Sequence, residues 1–285
     1  MKITRFSIYL FSLLYLLIAE PIQVLSQIRQ APKELDFYLC IGQSNMAGRG
    51  TLTSEVMDTL QGVWLLNASG IFEPAVNPLN RYSTIRKELS LQRMGPVYSF
   101  AKEMHLLSER PIGLVVNARG GSSINSWLKG SPDGYYEEAL KRVEEAQTRG
   151  GHLRAVIWHQ GEADCAYPEA YLRKLVQFIT DLLHDRKCPD IPFFVGEISH
   201  WNWTKRSEGT RPFNSMINQI IHFLPYTLCV SSEGLSPYIN ESDPHFDTES
   251  QIILGQRYAK AVWQLLQKEI EQHIQDSQPN KKSSD

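Results

Sequence analysis

The chain has 285 residues, with 29 Lys and Arg against 31 Asp and Glu, and a formal net charge of −2. This balance excludes a nucleic-acid binder that depends on a strongly basic surface. Because 42% of the residues are hydrophobic and 21% are charged, the chain can bury a core, and its length suits one large α/β domain or two small ones.

The N-terminus has the features of a secretory signal peptide, in the usual order. Lys2 and Arg5 precede an apolar run over residues 6–19, and the chain then turns polar towards Ser26. A membrane anchor is the alternative, but the run has only about 14 residues where a spanning helix needs roughly 20. We therefore predict a signal peptide over residues 1–26 and a secreted or periplasmic protein without membrane contact after its removal.

Short apolar runs and amphipathic stretches alternate through the rest of the chain. The apolar runs are predicted strands, at residues 36–41, 63–66, 112–117, 155–159 and 192–196. The helical patterns between them cover residues 97–107, 135–146 and 168–183. This alternation predicts parallel βαβ units in a three-layer α/β sandwich.

The last predicted helix has the clearest pattern. Asp247 is placed to cap it, and apolar residues recur at helical spacing from Leu254 to Leu265. The chain becomes polar from residue 269, and no linker or repeat divides it. We predict a single domain over residues 27–272, followed by a polar tail over residues 273–285.

Two of the four cysteines, Cys165 and Cys188, lie in polar surroundings and could form a disulfide in an oxidising compartment. Sequence alone leaves that pairing open. The chain has neither a Cys-x-x-Cys nor a His-Glu-x-x-His string. A zinc-dependent deacetylase that uses Asp243 and His245 therefore lacks the ligand spacing of a metal site.

Two loops that follow predicted strands carry residues suited to catalysis, because ligands bind beyond the carboxyl ends of parallel strands. Ser44 follows the first strand in a tight turn, where amides at a helix start can stabilise negative charge. Gly120 and Gly121 follow the third strand and let backbone N–H groups approach an oxyanion. Each string is equally typical of an ordinary polar turn.

Two further groups complete the candidate site. Gln160 and Glu162 follow the fourth strand, and the Gln160 side chain can donate an N–H to an oxyanion. The neighbouring His159 is more simply a hydrogen-bonded structural histidine. Asp243 and His245 precede the last helix, where a carboxylate bonded to the imidazole would orient a general base.

Taken together, these strings resemble the SGNH (GDSL-like) hydrolase superfamily, and within it the sialate O-acetylesterase-like and carbohydrate esterase family six group. The similar strings are IGQSNMAGRG at 41–50, NARGGSSINSW at 117–127, WHQGEAD at 158–164 and DPHFDTESQ at 243–251. The resemblance spans nearly the whole mature chain. It implies a flavodoxin-like α/β/α sandwich around a mainly parallel sheet of five or six strands, with no metal or cofactor.

The resemblance also implies a role for each site residue. Ser44 would be the nucleophile and His245 the general base. The oxyanion hole would consist of the Ser44 amide, the Gly121 amide and the side chain of Gln160, where many members of the superfamily have Asn.

The acid of the triad is less well defined by the resemblance. Members of the superfamily usually carry it three residues before the histidine, a position that Ser242 occupies here. Asp243 is one residue closer and is the main candidate. Glu162, Asp164 and Glu241 remain alternatives.

Four tryptophans lie in or near the predicted site loops and could stack on sugar faces: Trp127, Trp158, Trp201 and Trp203. Packing in the core is an equally good explanation for each of them. Trp127, Trp201 and Trp203 are the candidate substrate contacts.

The resemblance implies a serine esterase that removes O-acetyl groups from a carbohydrate, either a sialate or a plant or host glycan. The near-neutral charge suits a neutral or mixed-charge glycan. An α/β-hydrolase is excluded because no G-x-S-x-G follows a mid-chain strand. The non-enzymatic alternative is a carbohydrate-binding protein of the same fold. The oligomeric state stays open.

Overall fold

The structure is a computed structural model that describes residues 31–201, 203 and 210–277. The predicted signal peptide over residues 1–26 lies outside the described residues, as does the end of the chain from residue 278. The described residues therefore cover the part of the chain that follows the predicted signal peptide.

Seven strands of the described region form one sheet. They are β1 (Leu35–Gly42), β2 (Val63–Leu66), β3 (Phe72–Pro74), β4 (Ile112–Ala118), β5 (Gly151–His159), β6 (Phe193–Gly196) and β7 (Thr227–Val230). Their spatial order is β3-β2-β4-β1-β5-β6-β7, and all neighbours are parallel except β2 and β3. The carboxyl ends of β1, β4 and β5 therefore meet at the centre of one sheet edge.

The mainly parallel sheet is confirmed, but the predicted count of five or six strands is too low. The strand that sequence reasoning missed altogether is β3, an antiparallel edge strand of three residues ending in Pro74. Three residues are too short to show an alternating pattern, and proline is tolerated at a sheet edge. β7 is only partly buried over its four residues, which weakens its apolar signal.

Six α-helices of the described region flank the sheet. They are α1 (Ser44–Ala47), α2 (Pro96–Ser108), α3 (Tyr135–Thr148), α4 (Pro168–Asp185), α5 (Thr210–Ile217) and α6 (Thr248–Ser277). Successive residues of β1 point to opposite faces, Phe37 and Leu39 towards α3, α4 and α5, and Tyr38 and Cys40 towards α2 and α6. The predicted three-layer sandwich is confirmed.

The last helix continues into the polar end of the chain. α6 continues to Ser277, so the boundary predicted between residues 272 and 273 falls within the helix. The polar stretch from residue 269 contains no glycine or proline that would end the helix before residue 277. The single domain over residues 27–272 and the polar tail over residues 273–285 stay predictions.

Gly42 determines how the chain leaves the central strand. Its φ is 139°, and a Cβ at this position would lie 2.1 Å from the carbonyl oxygen of His159 on β5. The N–H of Gln43 donates to the same oxygen at 2.9 Å. Only glycine combines this backbone conformation with such a close approach, and the sharp turn that results leads directly into Ser44.

Two other predictions concern cysteines and the membrane. All four cysteines lie in the described region as thiols, so no bridge joins Cys165 to Cys188 there. None of the helices in the same region is both long and apolar enough to cross a bilayer.

The start of α6 allows a test of stability. Oδ1 of Asp247 accepts a hydrogen bond of 2.7 Å from the backbone N–H of Ser250, which is the predicted cap. We expect Asp247→Ala to lower the free energy of unfolding by about 1 kcal/mol in denaturant titrations, because a helix-end donor loses its partner. Asp247→Asn keeps an acceptor and should cost clearly less; equal losses would contradict a capping role.

Candidate active site

Ser44 is held at the carboxyl end of the central strand β1. It is the first residue of α1, where a backbone N–H has no acceptor within the helix. Its hydroxyl Oγ lies 2.9 Å from Nε2 of His245, which belongs to the loop before α6. The structure thus brings together two residues that are about 200 positions apart in sequence.

Asp243 reaches the imidazole in spite of its short spacing. Its Oδ1 lies 2.7 Å from Nδ1 of His245 and also accepts the backbone N–H of that histidine at 3.0 Å. The loop therefore folds the carboxylate back onto the ring two residues later. Ser242 instead donates to the side chain of Asn240. Among the candidate acids, Asp243 is the one hydrogen-bonded to the His245 ring.

The environment of His245 favours its neutral form. Burial lowers the pKa of the imidazole below its ordinary 6.5, and the nearby positive charge of Arg49 acts in the same direction. The charge of Asp243 and its hydrogen bond act in the opposite direction. A neutral ring whose Nε2 faces a hydroxyl is the state that can accept a proton from it.

The glycine loop after β4 lies beside the serine. A Cβ on Gly120 would be 3.7 Å from Cβ of Ser44 and 2.6 Å from Nη2 of Arg49. Gly121 has a φ of 74° in a turn closed by the N–H of Ser122 and the carbonyl of Arg119. Because Gly120 and Gly121 have no side chains of their own, the backbone of this loop can approach a group bound at Ser44.

Gln160 has a different environment from the one its predicted role requires. Its Nε2 lies within hydrogen-bond distance of three acceptors, Oε1 of Gln43, the carbonyl of Ser122 and Oδ2 of Asp164. An amide nitrogen has two hydrogens, so none is left for an oxyanion in this arrangement. Gln160 joins the loops that follow β1, β4 and β5, and its function as an oxyanion donor stays a prediction.

Asn45, to which sequence reasoning gave no role, connects the nucleophile to the loop of the base. It is fully buried. Its Nδ2 donates to the carbonyl of Pro244 at 3.1 Å, and its Oδ1 accepts the N–H of Phe246 at 3.2 Å. These two residues flank His245, so one side chain fixes the backbone on both sides of the base. Asn45 belongs to the Gln-Ser-Asn-Met string, but the sequence does not show that it is hydrogen-bonded to residues about 200 positions away.

Glu162, the predicted alternative acid, supports Asn45 rather than the histidine of the triad. Its Oε1 accepts a hydrogen bond from Nδ2 of Asn45 at 2.5 Å. Burial raises the pKa of this carboxyl to about 7, although hydrogen bonds to it act in the opposite direction. Its Oε2 is buried with no partner among the described residues.

His159 is a buried structural residue, as expected. Its Nδ1 lies 3.0 Å from the hydroxyl of Tyr258, and burial lowers its pKa to about 3. Within the described residues, no three His, Cys, Asp or Glu side chains are grouped so that they could hold a metal ion.

The candidate tryptophans occupy three different environments. Trp127 is 0% exposed, donates to Oγ of Ser122 and packs edge-on against Trp158. The prediction that it contacts substrate is therefore wrong, and Trp127 is a core residue.

Trp201 is half-buried, donates to the carbonyl of Asp243 and packs against Phe246. Trp203 is half-buried and packs against the core. Contact of these last two with substrate stays a prediction.

The contacts among Ser44, His245 and Asp243 have the geometry of a serine–histidine–aspartate triad, the arrangement found in serine hydrolases. The family model described as "Carbohydrate esterase, sialic acid-specific acetylesterase" matches residues 34–264. The chain belongs to this family.

One Arabidopsis thaliana protein, matched both by its sequence and by its crystal structure, and one structure from Xanthomonas citri are similar to this chain. A probable carbohydrate esterase of Arabidopsis is 30% identical over 244 residues, covering 79% of this chain and 88% of that protein. The crystal structure of the same Arabidopsis protein has a TM-score of 0.68 at 27% identity, covering 80% of this chain and 98% of that one. A carbohydrate acetylesterase of Xanthomonas citri shares the fold, with a TM-score of 0.58 at 19% identity over 79% of this chain and 55% of that one.

The raised pKa of Glu162 predicts a pH-dependent stability. The folded protein keeps a proton on this carboxyl up to about pH 7, whereas the ordinary value is 4.5. Its contribution to stability is therefore complete below pH 4.5 and is lost as the pH rises towards 7. Because Glu162→Gln cannot titrate, the stability of the natural protein relative to this variant should fall across that window in denaturant titrations. Parallel pH curves for both proteins would contradict the raised pKa.

Proposed function

We propose that this protein is a secreted or periplasmic serine esterase that removes O-acetyl groups from a carbohydrate. The observation that carries the proposal is the pair of contacts from Ser44 to His245 and from His245 to Asp243, in a member of a carbohydrate esterase family. Secretion rests on the predicted signal peptide over residues 1–26.

The reaction follows from the atoms in contact. Oγ of Ser44 attacks the acetyl carbon while Nε2 of His245 accepts the hydroxyl proton, and the same ring then gives this proton to the departing sugar oxygen. Water next attacks the acetyl-serine, His245 takes a proton from it, and acetate leaves as the serine is reprotonated. Asp243 keeps the other ring proton on Nδ1. This scheme requires no metal or cofactor.

We propose that backbone N–H groups bind the negative charge that develops on the acetyl oxygen during the attack by Ser44. The amide of Ser44 at the start of α1 and the amide of Gly121 in the neighbouring turn are the candidates for the oxyanion hole. Removing one donor from such a hole typically costs about 100- to 1,000-fold in turnover. Gln160 supports this hole by holding Gln43 and Ser122 in place.

The sugar is expected to lie on the open side of His245. Trp201 contacts the loop of the base, and Trp201 and Trp203 are the aromatic residues proposed to face the sugar. A sialate and a plant or host glycan are both compatible with this arrangement. A carbohydrate-binding protein without catalysis is the alternative, but binding alone does not require a hydroxyl placed against an oriented imidazole.

Replacing the nucleophile tests the proposed chemistry. We expect Ser44→Ala to lower the hydrolysis of an aryl acetate by a factor on the order of 10⁴ or more, since covalent catalysis is lost. Ser90→Ala, which changes an exposed serine, is the matched control and should keep full activity. An organophosphonate should label the natural protein and not Ser44→Ala. Full activity in Ser44→Ala would exclude the proposed nucleophile.

A second comparison tests the acid. Asp243→Asn should reduce kcat by roughly 10³-fold, because the imidazole loses the carboxylate that orients it and stabilises its protonated form. Glu162→Gln keeps an acceptor for Asn45 and should reduce kcat less. Initial rates on the same aryl acetate measure both effects. The opposite ranking would assign the triad acid to Glu162.

A further inference from the structure

One end of the Arg49 guanidinium group has no protein partner. Both hydrogen bonds that Arg49 makes with the described residues start at Nη1, which donates to the carbonyl of Gly48 at 2.7 Å and to that of Leu91 at 2.9 Å. No carboxylate in the same part of the chain lies within 4.0 Å of the group. The two N–H groups of Nη2 are therefore available to a ligand.

Nη2 of Arg49 lies close to the candidate nucleophile. A Cβ on Gly120 would be 2.6 Å from Nη2 and 3.7 Å from Cβ of Ser44, so both groups border the space in front of Gly120. A donor of an oxyanion hole must come within about 3 Å of the oxygen that becomes negative. An acetyl group attached to Oγ of Ser44 spans part of the gap, which brings its oxygen within reach of Nη2.

The hydrogen bonds of Nη1 orient the guanidinium group without neutralising its charge, because both acceptors are backbone carbonyls. Arg49 is half-buried. Burial and the charge of Arg93 lower its pKa, whereas the charges of Glu162 and Asp243 raise it. An arginine in a protein stays protonated in either case. The site therefore contains a fixed positive charge that is partly removed from water, where electrostatic stabilisation is strong.

The side chain that the sequence suggested for the oxyanion hole is already engaged. The amide nitrogen of Gln160 faces three protein acceptors, which leaves the backbone amides of Ser44 and Gly121 as candidate donors. Arg49 contacts the same glycine loop at Gly120. A charged donor with hydrogens to spare binds a negative oxygen more strongly than a neutral amide whose hydrogens are taken.

We propose that Nη2 of Arg49 is a third donor of the oxyanion hole, beside the backbone amides of Ser44 and Gly121. The inference rests on the proposed function, because the oxyanion forms only when Ser44 attacks an ester. As Oγ bonds to the acetyl carbon, the electron pair of the C=O bond moves to oxygen, and the guanidinium group binds that oxygen. The carbonyl re-forms as the sugar leaves. Attack of water on the acetyl-serine then creates the same charge again, so Arg49 is a catalytic residue in both steps.

Replacing Arg49 tests this role on a substrate that has no sugar. We expect Arg49→Ala to lower kcat for an aryl acetate by about 100- to 1,000-fold and to leave KM nearly unchanged, because the contact is made in the transition state. Arg49→Lys keeps a positive charge and should retain clearly more activity than Arg49→Ala. Arg86→Ala is the matched control and should keep full activity. Arg86 is also half-buried and also donates to two backbone carbonyls, but both belong to its own loop.

A second variant moves the guanidinium group without removing it. Gly120 does not have a positive φ, so an alanine there introduces no left-handed strain, yet its Cβ would displace Nη2 of Arg49. Gly120→Ala should therefore lower kcat, and it should add little to the loss in Arg49→Ala. Losses that multiply in the double variant would show that Arg49 acts without its position at Gly120, which would overturn the proposal.

Added guanidinium ion distinguishes a missing donor from a damaged loop. At concentrations far below those that unfold proteins, it should raise the rate of Arg49→Ala and leave the natural protein unaffected. A lower free energy of unfolding in Arg49→Ala without any rescue would mean that the residue only holds the backbone of Gly48 and Leu91, and would overturn the proposal.

A comparison of substrates separates the oxyanion from the sugar. An aryl acetate and an acetylated sugar form the same oxyanion, so Arg49→Ala should lower kcat for both by a similar factor. A loss confined to the acetylated sugar would assign Arg49 to sugar binding and overturn the proposal. Full activity of Arg49→Ala would also overturn it and leave the esterase intact, whereas no hydrolysis of any ester by the natural protein would overturn the proposed function itself.

Discussion

The candidate site depends on one buried side chain, the amide of Asn45. It accepts a hydrogen bond from the N–H of Phe246 and donates one to the carbonyl of Pro244, so the backbone on each side of His245 is fixed relative to α1. A buried amide with these bonds unmade would be costly. Asn45 therefore helps to set the distance between Ser44 and His245, in addition to the hydrogen bond between those two residues.

Burial has opposite consequences for the groups around this link. It lowers the pKa of His245, which keeps the ring able to accept a proton, and it raises that of Glu162, which keeps the carboxyl protonated up to about pH 7. Asp243 stands apart because its carboxylate is hydrogen-bonded to the imidazole. These three titratable groups therefore have separate functions. His245 is the proposed base, Glu162 supports Asn45, and Asp243 orients the base.

Sequence reasoning predicted what a linear pattern can encode. Alternating apolar runs indicated the parallel sandwich. The turn residues at strand ends located Ser44 and Gly121, and the segment before the last helix located His245. It failed where the outcome depends on contacts between distant segments. Trp127 carries no sign in the sequence of being buried, and Gln160 shows its three acceptors only in the folded chain.

The contact between Asn45 and Phe246 spans 201 positions of the chain, and most of the sheet lies within that span. A chain that ends before the loop of His245 therefore has the serine without its base. During synthesis, the described arrangement can be completed only after nearly all of the domain has emerged. Esterase activity, once measured, would then report on the folding of the whole domain, which makes a colour-producing ester a direct probe of correct folding.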